Sequence, residues 1–253
     1  MTHFKHNLNG KEVQAWCLSR LRKEFSIEED CVLEEYMKLA LLAAAEGKSI
    51  HRVCDERKNT ATGVTVRNNL HELLKDRKVT EDRINSLLGS MIVKKHIPEK
   101  LIVSVDYVYL EYYGKDAESN PEVVRGKPGK GTNNFHCYAT VYANLKSQRY
   151  TLCMTKVTRE DSKKDVLRRL FKHMARLNLE PTVWLFDRGF YSVKVLKYLR
   201  RRRKPYIIPV HLRDRKPDHP NGPSSTFAFT TKTKSCFETY EMTDYSKKAK
   251  YKI

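Results

Sequence analysis

The first 97 positions alternate apolar and polar residues at the spacing of amphipathic helices. Apolar side chains recur three or four positions apart, and Gly47 and Thr80 stand where one helix is expected to end and another to begin. The segments with this pattern are residues 11–24, 27–46, 50–54, 64–74 and 80–92. The pattern predicts a small all-α domain at residues 1–97.

The pattern changes after Pro98, where runs of β-branched and aromatic residues alternate with amphipathic helices. The predicted strands are residues 101–114, 135–145, 149–157, 182–186 and 205–213, and the predicted helices are 162–179 and 192–204. Ser162 and Ser192 are the expected helix caps, and residues 115–132 are expected to form a loop. This order of elements predicts an α/β fold with a mixed sheet over residues 98–213.

The segments at 50–54 and 64–74, separated by a polar break at 58–63, have the outline of a helix-turn-helix. The second helix is expected to present polar side chains outward, namely Thr65, Arg67, Asn68, Asn69 and His71. Arginine and asparagine can hydrogen-bond base edges or phosphates, so Arg67, Asn68 and Asn69 are candidate DNA-binding residues. A small helical bundle without DNA contacts gives the same outline, and the sequence leaves both interpretations open.

Positive charge is concentrated in the second part of the chain. Residues 1–97 contain 17 Lys and Arg against 14 Asp and Glu, and residues 98–253 contain 32 against 16, which gives net charges of +3 and +16. An excess of this size attracts polyanions, and double-stranded DNA is the partner that we expect. A lysine-rich surface that serves only solubility is the alternative.

The sequence carries no sign of secretion, of a membrane span, or of a disulfide or zinc framework. Its six cysteines are scattered without a Cys-x-x-Cys pair, and no window approaches the roughly 18 uninterrupted apolar residues of a membrane span. We therefore expect an intracellular protein without membrane contact, cytoplasmic and associated with the nucleoid.

Two aspartates interrupt strongly apolar runs in the second part of the chain, Asp106 in LIVSVDYVYLEYY and Asp187 in TVWLFDRGFYS. An unpaired buried carboxylate is costly, so each one requires an explanation. If their strands are parallel neighbours, the carboxylates converge at the carboxyl edge of the sheet, where α/β proteins bind ligands. Carboxylates without His or Cys favour Mg²⁺ or Mn²⁺, and two such ions support in-line displacement at phosphorus. Asp106 and Asp187 are therefore the candidate metal-binding and catalytic residues.

Each aspartate also has a structural interpretation. Asp187 can cap the helix that starts near Ser192 or pair with Arg188, and Asp106 can pair with a buried lysine. Gly189 indicates either a positive φ angle or a close approach of DNA. The sequence alone leaves these alternatives open.

Several cations are candidate phosphate contacts. Arg188 directly follows Asp187, and the run Arg200, Arg201, Arg202, Arg203 and Lys204 exceeds what a helix carboxyl end requires. The segment GKPGKGTNN at 126–134 supplies Lys127 and Lys130. It is not a phosphate-binding P-loop, because Thr132 stands where that motif requires lysine, and we expect a flexible basic loop.

With Asp106 in VDYVYLEYYG and Asp187 in LFDRGFYS, residues 101–213 resemble the DDE transposases of prokaryotic insertion sequences, in the branch whose second aspartate is followed by Arg-Gly-Phe. The resemblance implies an RNase H-like mixed sheet with flanking helices, preceded by a small all-α, helix-turn-helix-like DNA-binding domain. It implies metal-dependent cleavage at insertion-sequence ends and transfer of the freed 3′-hydroxyl to target DNA. Asp106 and Asp187 would be the first two ligands of two Mg²⁺ ions, and the active form would be a homodimer.

The sequence departs from this family at the third carboxylate. The family places a glutamate on a later helix after an inserted β region, whereas residues 214–253 resemble only the start of that insertion, and neither Glu238 nor Glu241 is assigned. We therefore expect a C-terminally truncated transposase that is inactive alone or is completed by another reading frame. The alternatives are a DNA-binding remnant without catalysis and a stand-alone metal nuclease that completes its site with Glu111.

Overall fold

The computed structural model describes residues 10–92, 97–145, 148–212, 218, 220–222, 225–232, 234, 241–244 and 249–252. The chain divides into two compact units, Met1–Ile92 and Val93–Ile253. Within the described ranges, no helix is both long enough and apolar enough to cross a bilayer.

The first unit is built from helices whose apolar faces meet in one core. They are α1 (Gly10–Phe25), α2 (Val32–Glu46), α3 (Ile50–Asp55), α4 (Gly63–Leu73) and α5 (Arg77–Ser90). Val53 and Val66 are fully buried in this core. The predicted helical region is confirmed.

Two helix starts in this unit differ from the prediction. α2 begins at Val32 rather than at residue 27, and Gly47 ends it in the left-handed conformation with φ at 62°. α5 begins at Arg77 rather than at Thr80, because the carboxylate of Asp76 caps its first turn.

α3 and α4 pack against each other and against α2. Gly63, the first residue of α4, lies so close to α3 that a Cβ atom there would come within 2.6 Å of the Cα atom of His51. Thr62 caps α4 by accepting the N–H of Thr65 at 3.2 Å. Glycine is therefore required at this position by the contact between the two helices rather than by its φ angle.

The second unit contains a mixed sheet. Its strands are β1 (Ile102–Glu111), β2 (Val123–Gly129), β3 (Thr132–Leu145), β4 (Gln148–Val157), β5 (Val183–Phe186) and β6 (Tyr206–Ile207). The order is β2-β3-β1-β5-β6, and β4 pairs with the second half of β3. β3 is antiparallel to β1, β2 and β4, whereas β5 is parallel to β1 and to β6. Antiparallel strands followed by parallel ones, joined through helices, give the RNase H-like fold that was predicted.

Two helices, α6 (Lys163–Arg176) and α7 (Val193–Arg201), cover one face of this sheet. Ser162 and Ser192 cap them, as predicted. α6 leads from β4 to β5 and α7 from β5 to β6, so both run back from the carboxyl edge of the parallel strands to the amino edge. The helices are therefore parallel to each other.

A row of aromatic rings fills the space between these helices and the sheet. Phe171 of α6 contacts Trp184 of β5 with ring centroids 4.4 Å apart, and Trp184 stacks on Phe186 at 6.4 Å. Phe190 continues the row, 5.4 Å from Phe186, and stacks on Tyr107 of β1 at 4.9 Å. We call this side of the sheet the packed face.

The prediction of a loop over residues 115–132 is wrong in its second half, where β2 and β3 form a hairpin. Lys130 and Gly131 make the turn with φ angles of 43° and 83°. The hydroxyl of Tyr113 donates to the carbonyl oxygen of Lys130 at 2.9 Å and fixes the turn against the end of β1. The sequence predicts a loop here because glycine and proline are rare inside strands, and β2 contains Gly126, Pro128 and Gly129.

The prediction also overestimates the last strands. Of residues 205–213, the pair Tyr206–Ile207 forms a strand. Ser225–Thr231 is a 3₁₀ helix, and a separate hairpin follows, formed by β7 (Glu241–Asp244) and β8 (Ala249–Lys252).

Candidate functional site

Asp106 and Asp187 are neighbours across two parallel strands. The register of β1 and β5 pairs Val105 with Phe186, and the next residue on each strand is the aspartate. Since adjacent strands lie about 4.8 Å apart, the continued register separates the Cα atoms of the two aspartates by roughly that distance. The condition for the carboxylates to converge, that their strands are parallel neighbours, is met.

Both carboxylates lie on the side of the sheet opposite to α6 and α7. Val105 and Phe186 are buried on the packed face, and side chains alternate along a strand, so Asp106 and Asp187 point to the other side. Leu110, on the same side of β1 as Asp106, is 51% exposed. We call this side the open face.

The protein orients one oxygen of Asp106. The backbone N–H of Tyr107 donates to Oδ1 of Asp106 at 2.8 Å, at the point where β5 has ended. Thr140 of β3, which is opposite Asp106 in the register, donates its hydroxyl to the backbone carbonyl of Asp106 at 3.5 Å. No lysine pairs with Asp106 in the described part of the chain. Oδ2 of this carboxylate is therefore free to bind a ligand.

Asp187 is neither a helix cap nor half of an ion pair. It precedes a 3₁₀ turn (Arg188–Phe190) in an extended conformation, with φ at −73° and ψ at 168°, and its side chain makes no capping bond. Ser192 caps α7 instead. Among the described residues, Arg188 forms no ion pair with Asp187. The structural interpretations of Asp187 are therefore wrong.

Gly189 makes room for the carboxylate of Asp187. A Cβ atom at position 189 would lie 3.0 Å from Oδ1 and 3.3 Å from Oδ2 of Asp187. Gly189 does not have a positive φ angle, so that expectation is wrong. The group that lies close to Gly189 is the carboxylate of Asp187, in the same turn.

Lys163, the first residue of α6, holds the same turn from the other side. Its ammonium group donates to the carbonyl oxygen of Gly189. This contact ties the turn after β5 to the start of α6, and it fixes the backbone that carries Asp187. Sequence reasoning missed Lys163, because nothing in Ser-Lys-Lys-Asp distinguishes this lysine from its neighbour.

Aromatic side chains underlie the site on the packed face. Burial raises the pKa of Tyr107, and nearby groups, Asp187 among them, raise it further. Burial also raises the pKa of Tyr109, with smaller contributions from Cys137 and from both aspartates. These phenols are therefore neutral at physiological pH.

The donor set suits a hard divalent cation. Two carboxylates side by side repel each other unless a cation neutralises them, and oxygen ligands without His or Cys favour Mg²⁺ or Mn²⁺. Within the described ranges, no group of three or more His, Cys, Asp or Glu residues converges. Asp106 and Asp187 thus fit as two ligands of a metal site.

Glu111 does not join this pair. It lies five residues beyond Asp106 on β1, which puts it on the opposite face and about 17 Å along the strand. Its carboxylate lies 3.9 Å from the ammonium group of Lys130. Glu241 begins β7, and Glu238 lies outside the described residues.

The structure separates the candidate phosphate contacts into different places. Arg188 is exposed and lies beside the aspartates at the carboxyl edge. Lys127 and Lys130 are exposed in the β2–β3 hairpin, which is an ordered turn rather than a flexible loop. These three cations lie at the end of the sheet where β1 ends.

The run from Arg200 to Lys204 is not brought to the aspartates. It ends α7 and leads into β6, so it lies at the amino edge of the parallel strands. Arg202 lies over the ring of Tyr198, 5.6 Å from its centroid, and Lys204 pairs with Glu180 at 2.8 Å. Arg200, Arg201 and Arg203 are exposed.

On α4 of the first unit, Arg67 and Asn68 are exposed, as predicted. Asn69 is also exposed, but its side-chain amide donates to the carbonyl oxygen of Thr65 at 3.0 Å. Arg67 and Asn68 therefore remain better placed than Asn69 to contact a partner.

No protein-family model matches the chain, and no curated protein is significantly similar to it in sequence. Seven chains of solved structures match it. One is the piggyBac transposase in a cryo-EM structure of its synaptic complex with hairpin DNA, at a TM-score of 0.42 and 13% sequence identity. The match covers 95% of this chain and 51% of the piggyBac chain, so this chain spans about half the length of that protein. A match at this level does not bear on function.

Proposed function

We propose that this protein is a DNA transposase of the insertion-sequence type, which cuts DNA strands and joins the freed 3′-hydroxyl to target DNA with the help of divalent metal ions. The observation that carries the proposal is the register of β1 and β5, in which Asp106 and Asp187 are neighbours at the carboxyl edge of an RNase H-like sheet. The net charge of +16 over residues 98–253 supports DNA as the substrate.

Asp106 and Asp187 would hold two Mg²⁺ ions, with Mn²⁺ as a substitute. When bound, such ions neutralise the phosphodiester and lower the pKa of an attacking water or hydroxyl. The N–H of Tyr107 keeps Oδ1 of Asp106 in place. The absence of a side chain at Gly189 leaves room for the carboxylate of Asp187. Arg188 is suited to hold a phosphate of the strand being cut.

DNA recognition is assigned to three groups of cations and amides. Arg67 and Asn68, with Asn69 in a lesser role, would contact the ends of the element through α4. Lys127 and Lys130 of the hairpin and the Arg200–Lys204 run would contact the phosphate backbone. Joining two DNA ends requires two copies of the site, and we expect a homodimer to supply them.

The test is strand cleavage of a labelled duplex taken from the DNA that flanks the coding sequence, in Mg²⁺. We expect Asp106→Asn and Asp187→Asn each to lower the cleavage rate by at least about a thousandfold, because each removes a metal ligand without changing side-chain volume. Glu111→Gln is the matched control and should leave the rate within about twofold, since Glu111 lies on the other face.

Chelation of the metal should stop cleavage by the wild-type chain and leave DNA binding intact. Robust cleavage by the Asp187→Asn chain would refute the assignment of the site. Hydrolysis of DNA without transfer of a 3′-hydroxyl to a second duplex would indicate a nuclease instead of a transposase.

A second candidate function is DNA binding without catalysis. It is favoured by one observation, which is that two carboxylates rather than three converge in the described part of the chain. In that case DNA binding would be steeply salt-dependent and unchanged by Asp106→Asn, and no metal would support cleavage.

A further inference from the structure

The segment that contains α6 and α7 carries most of the net positive charge of residues 98–253. Residues 162–204 contain 14 Lys and Arg against three Asp and Glu, a net charge of +11 out of the +16 of residues 98–253. Apart from Arg188, which lies beside the aspartates, these cations lie on α6, on α7 or directly after α7.

The cations of these helices stand in two rows on their outer surfaces. In α6 the row has a spacing of four residues, and in α7 a spacing of three and four, so neighbours in a row are about 5 to 6 Å apart. The six exposed members are Lys164, Arg168 and Lys172 of α6 and Lys194, Lys197 and Arg201 of α7. We call these six residues the α6–α7 cation surface.

The two rows lie side by side. Phe171 of α6 stacks on Tyr198 of α7 with ring centroids 5.7 Å apart. Both helices run from the carboxyl edge to the amino edge of the parallel strands, and packed helices have axes about 8 to 10 Å apart. The cation surface therefore begins at the edge where Lys163 contacts the turn after Asp187, and it extends to the arginines at the end of α7.

Few carboxylates neutralise this surface. Arg168 pairs with Asp165 at 3.3 Å. Lys164, Lys172, Lys194 and Arg201 have no ion pair with any described residue. Like charges that are held together on rigid helices repel one another, and a bound polyanion relieves that repulsion.

The inner faces of the same helices make a membrane the less favoured partner. Leu167, Leu170 and Leu199 are fully buried, so the helices have no apolar face left to insert between lipids. The six described cations offer a partner regularly spaced positive charge on rigid helices. A duplex backbone, with regularly spaced phosphates, is the polyanion that matches two parallel rows.

We propose that the α6–α7 cation surface binds the backbone of duplex DNA independently of sequence, on the side of the sheet opposite to Asp106 and Asp187. The chain would then hold a DNA segment other than the one at the aspartates. The distinction between this second DNA segment and a cleaved one rests on the proposed function. The binding of DNA to the α6–α7 cation surface rests only on the charge of that surface.

The experiment measures binding of the full-length chain to a fluorescent duplex of arbitrary sequence over a range of salt concentrations, in EDTA so that no strand is cut. Two double variants, Lys164→Gln with Lys172→Gln and Lys194→Gln with Arg201→Gln, each remove two cations. Each should reduce the slope of log affinity against log salt by about two, and the quadruple variant by about four. Between 50 and 200 mM salt, the wild-type affinity should therefore fall about a hundredfold more than that of the quadruple variant.

The matched control is Lys75→Gln with Lys115→Gln, which removes the same charge beside carboxylates. Lys75 pairs with Glu72 at 3.2 Å, and Asp116 follows Lys115. The control should keep the wild-type slope. Far-UV circular dichroism and the melting temperature should be the same in all variants, and the two double variants test the surface separately if the quadruple variant does not fold.

A wild-type slope in the quadruple variant, or in both double variants, would overturn the proposal. Tighter binding to phosphatidylserine vesicles than to the duplex would overturn the assignment to DNA. If the wild-type chain does not cut DNA but the variants show the reduced salt slope, DNA binding by this surface is supported and only the proposed catalysis is refuted. Metal-dependent cleavage by the wild-type chain, together with an unchanged salt slope in the variants, would support the proposed catalysis and refute DNA binding by this surface.

Discussion

On the packed face of the sheet, Leu170 and Trp184 are at most 1% exposed, whereas on the open face Leu110 is 51% exposed. The same strands supply both faces, because successive side chains of β1 and β5 point to opposite sides. One set of positions packs against α6, α7 and the aromatic row, and the other is on the open face. Asp106 and Asp187 belong to the second set.

This contrast explains how two adjacent carboxylates can be tolerated. On the packed face, an unpaired carboxylate would lose its hydration, which is costly. On the open face, Asp106 keeps access to water while the backbone of Tyr107 holds one of its oxygens. The packed face therefore supplies buried apolar contacts, and the open face accommodates the two carboxylates.

The largest expected effect comes from breaking the packed face. Leu170→Ala should lower the free energy of unfolding by about 3 kcal/mol, because Leu170 is fully buried and its loss leaves a cavity. Urea denaturation followed by circular dichroism measures it. Leu110→Ala on the open face should cost less than about 1 kcal/mol. Equal costs would mean that the open face is covered in solution.

A smaller effect is expected at the turn that supports Asp187. Gly189→Ala should lower metal-dependent cleavage roughly tenfold to a hundredfold with little change in stability, because the added Cβ atom would press on the carboxylate at 3.0 Å. Gly129→Ala, where no atom lies within 4 Å of an added Cβ, is the control and should be neutral. Full activity of the Gly189→Ala chain would show that the position of Asp187 is not critical.

The smallest effect concerns acid stability on the helical side. Burial tends to raise the pKa of Asp161, but hydrogen bonds from Arg169 at 2.6 and 2.8 Å and from Thr158 outweigh it, and the pKa is lowered. The carboxylate therefore stabilises the fold above its unfolded pKa of about 3.9, and this contribution is lost as the pH falls through the lowered folded value.

Denaturation midpoints measured between neutral pH and pH 3 should thus show a stability difference between the wild-type and the Asp161→Asn chain that shrinks as the pH falls. Glu160→Gln, one residue away and exposed, is the control and should follow the wild-type curve. A difference independent of pH would assign the effect of Asp161 to packing.

The positions of Asp106 and Asp187 in apolar strands could be predicted because they depend on local patterns. The caps Ser162 and Ser192 were predictable for the same reason, since a cap is a contact over three residues. The pairing of β1 with β5 joins residues distant in sequence, and the sequence left it open.

The rest depends on contacts that are distant in sequence. The sequence marks the Arg200–Lys204 run as a phosphate contact but does not place it in the fold, and α7 carries the run to the amino edge, away from the aspartates. The sequence around Lys130 predicts a loop instead of a hairpin, because glycine and proline are typical of loops as well as of tight turns. Lys163 contacts a carbonyl 26 residues away, which no local pattern reveals.

The aromatic row also equips the protein with its own optical reporters. The chain has two tryptophans, and each unit contains one. Trp184 is 1% exposed among aromatic rings, whereas Trp16 of α1 is half-buried with the guanidinium of Arg20 5.6 Å from its ring centroid. An indole in an apolar shell emits at shorter wavelength than one near water and a cation. The unfolding of the two units can thus be followed separately in the unlabelled protein by emission colour alone.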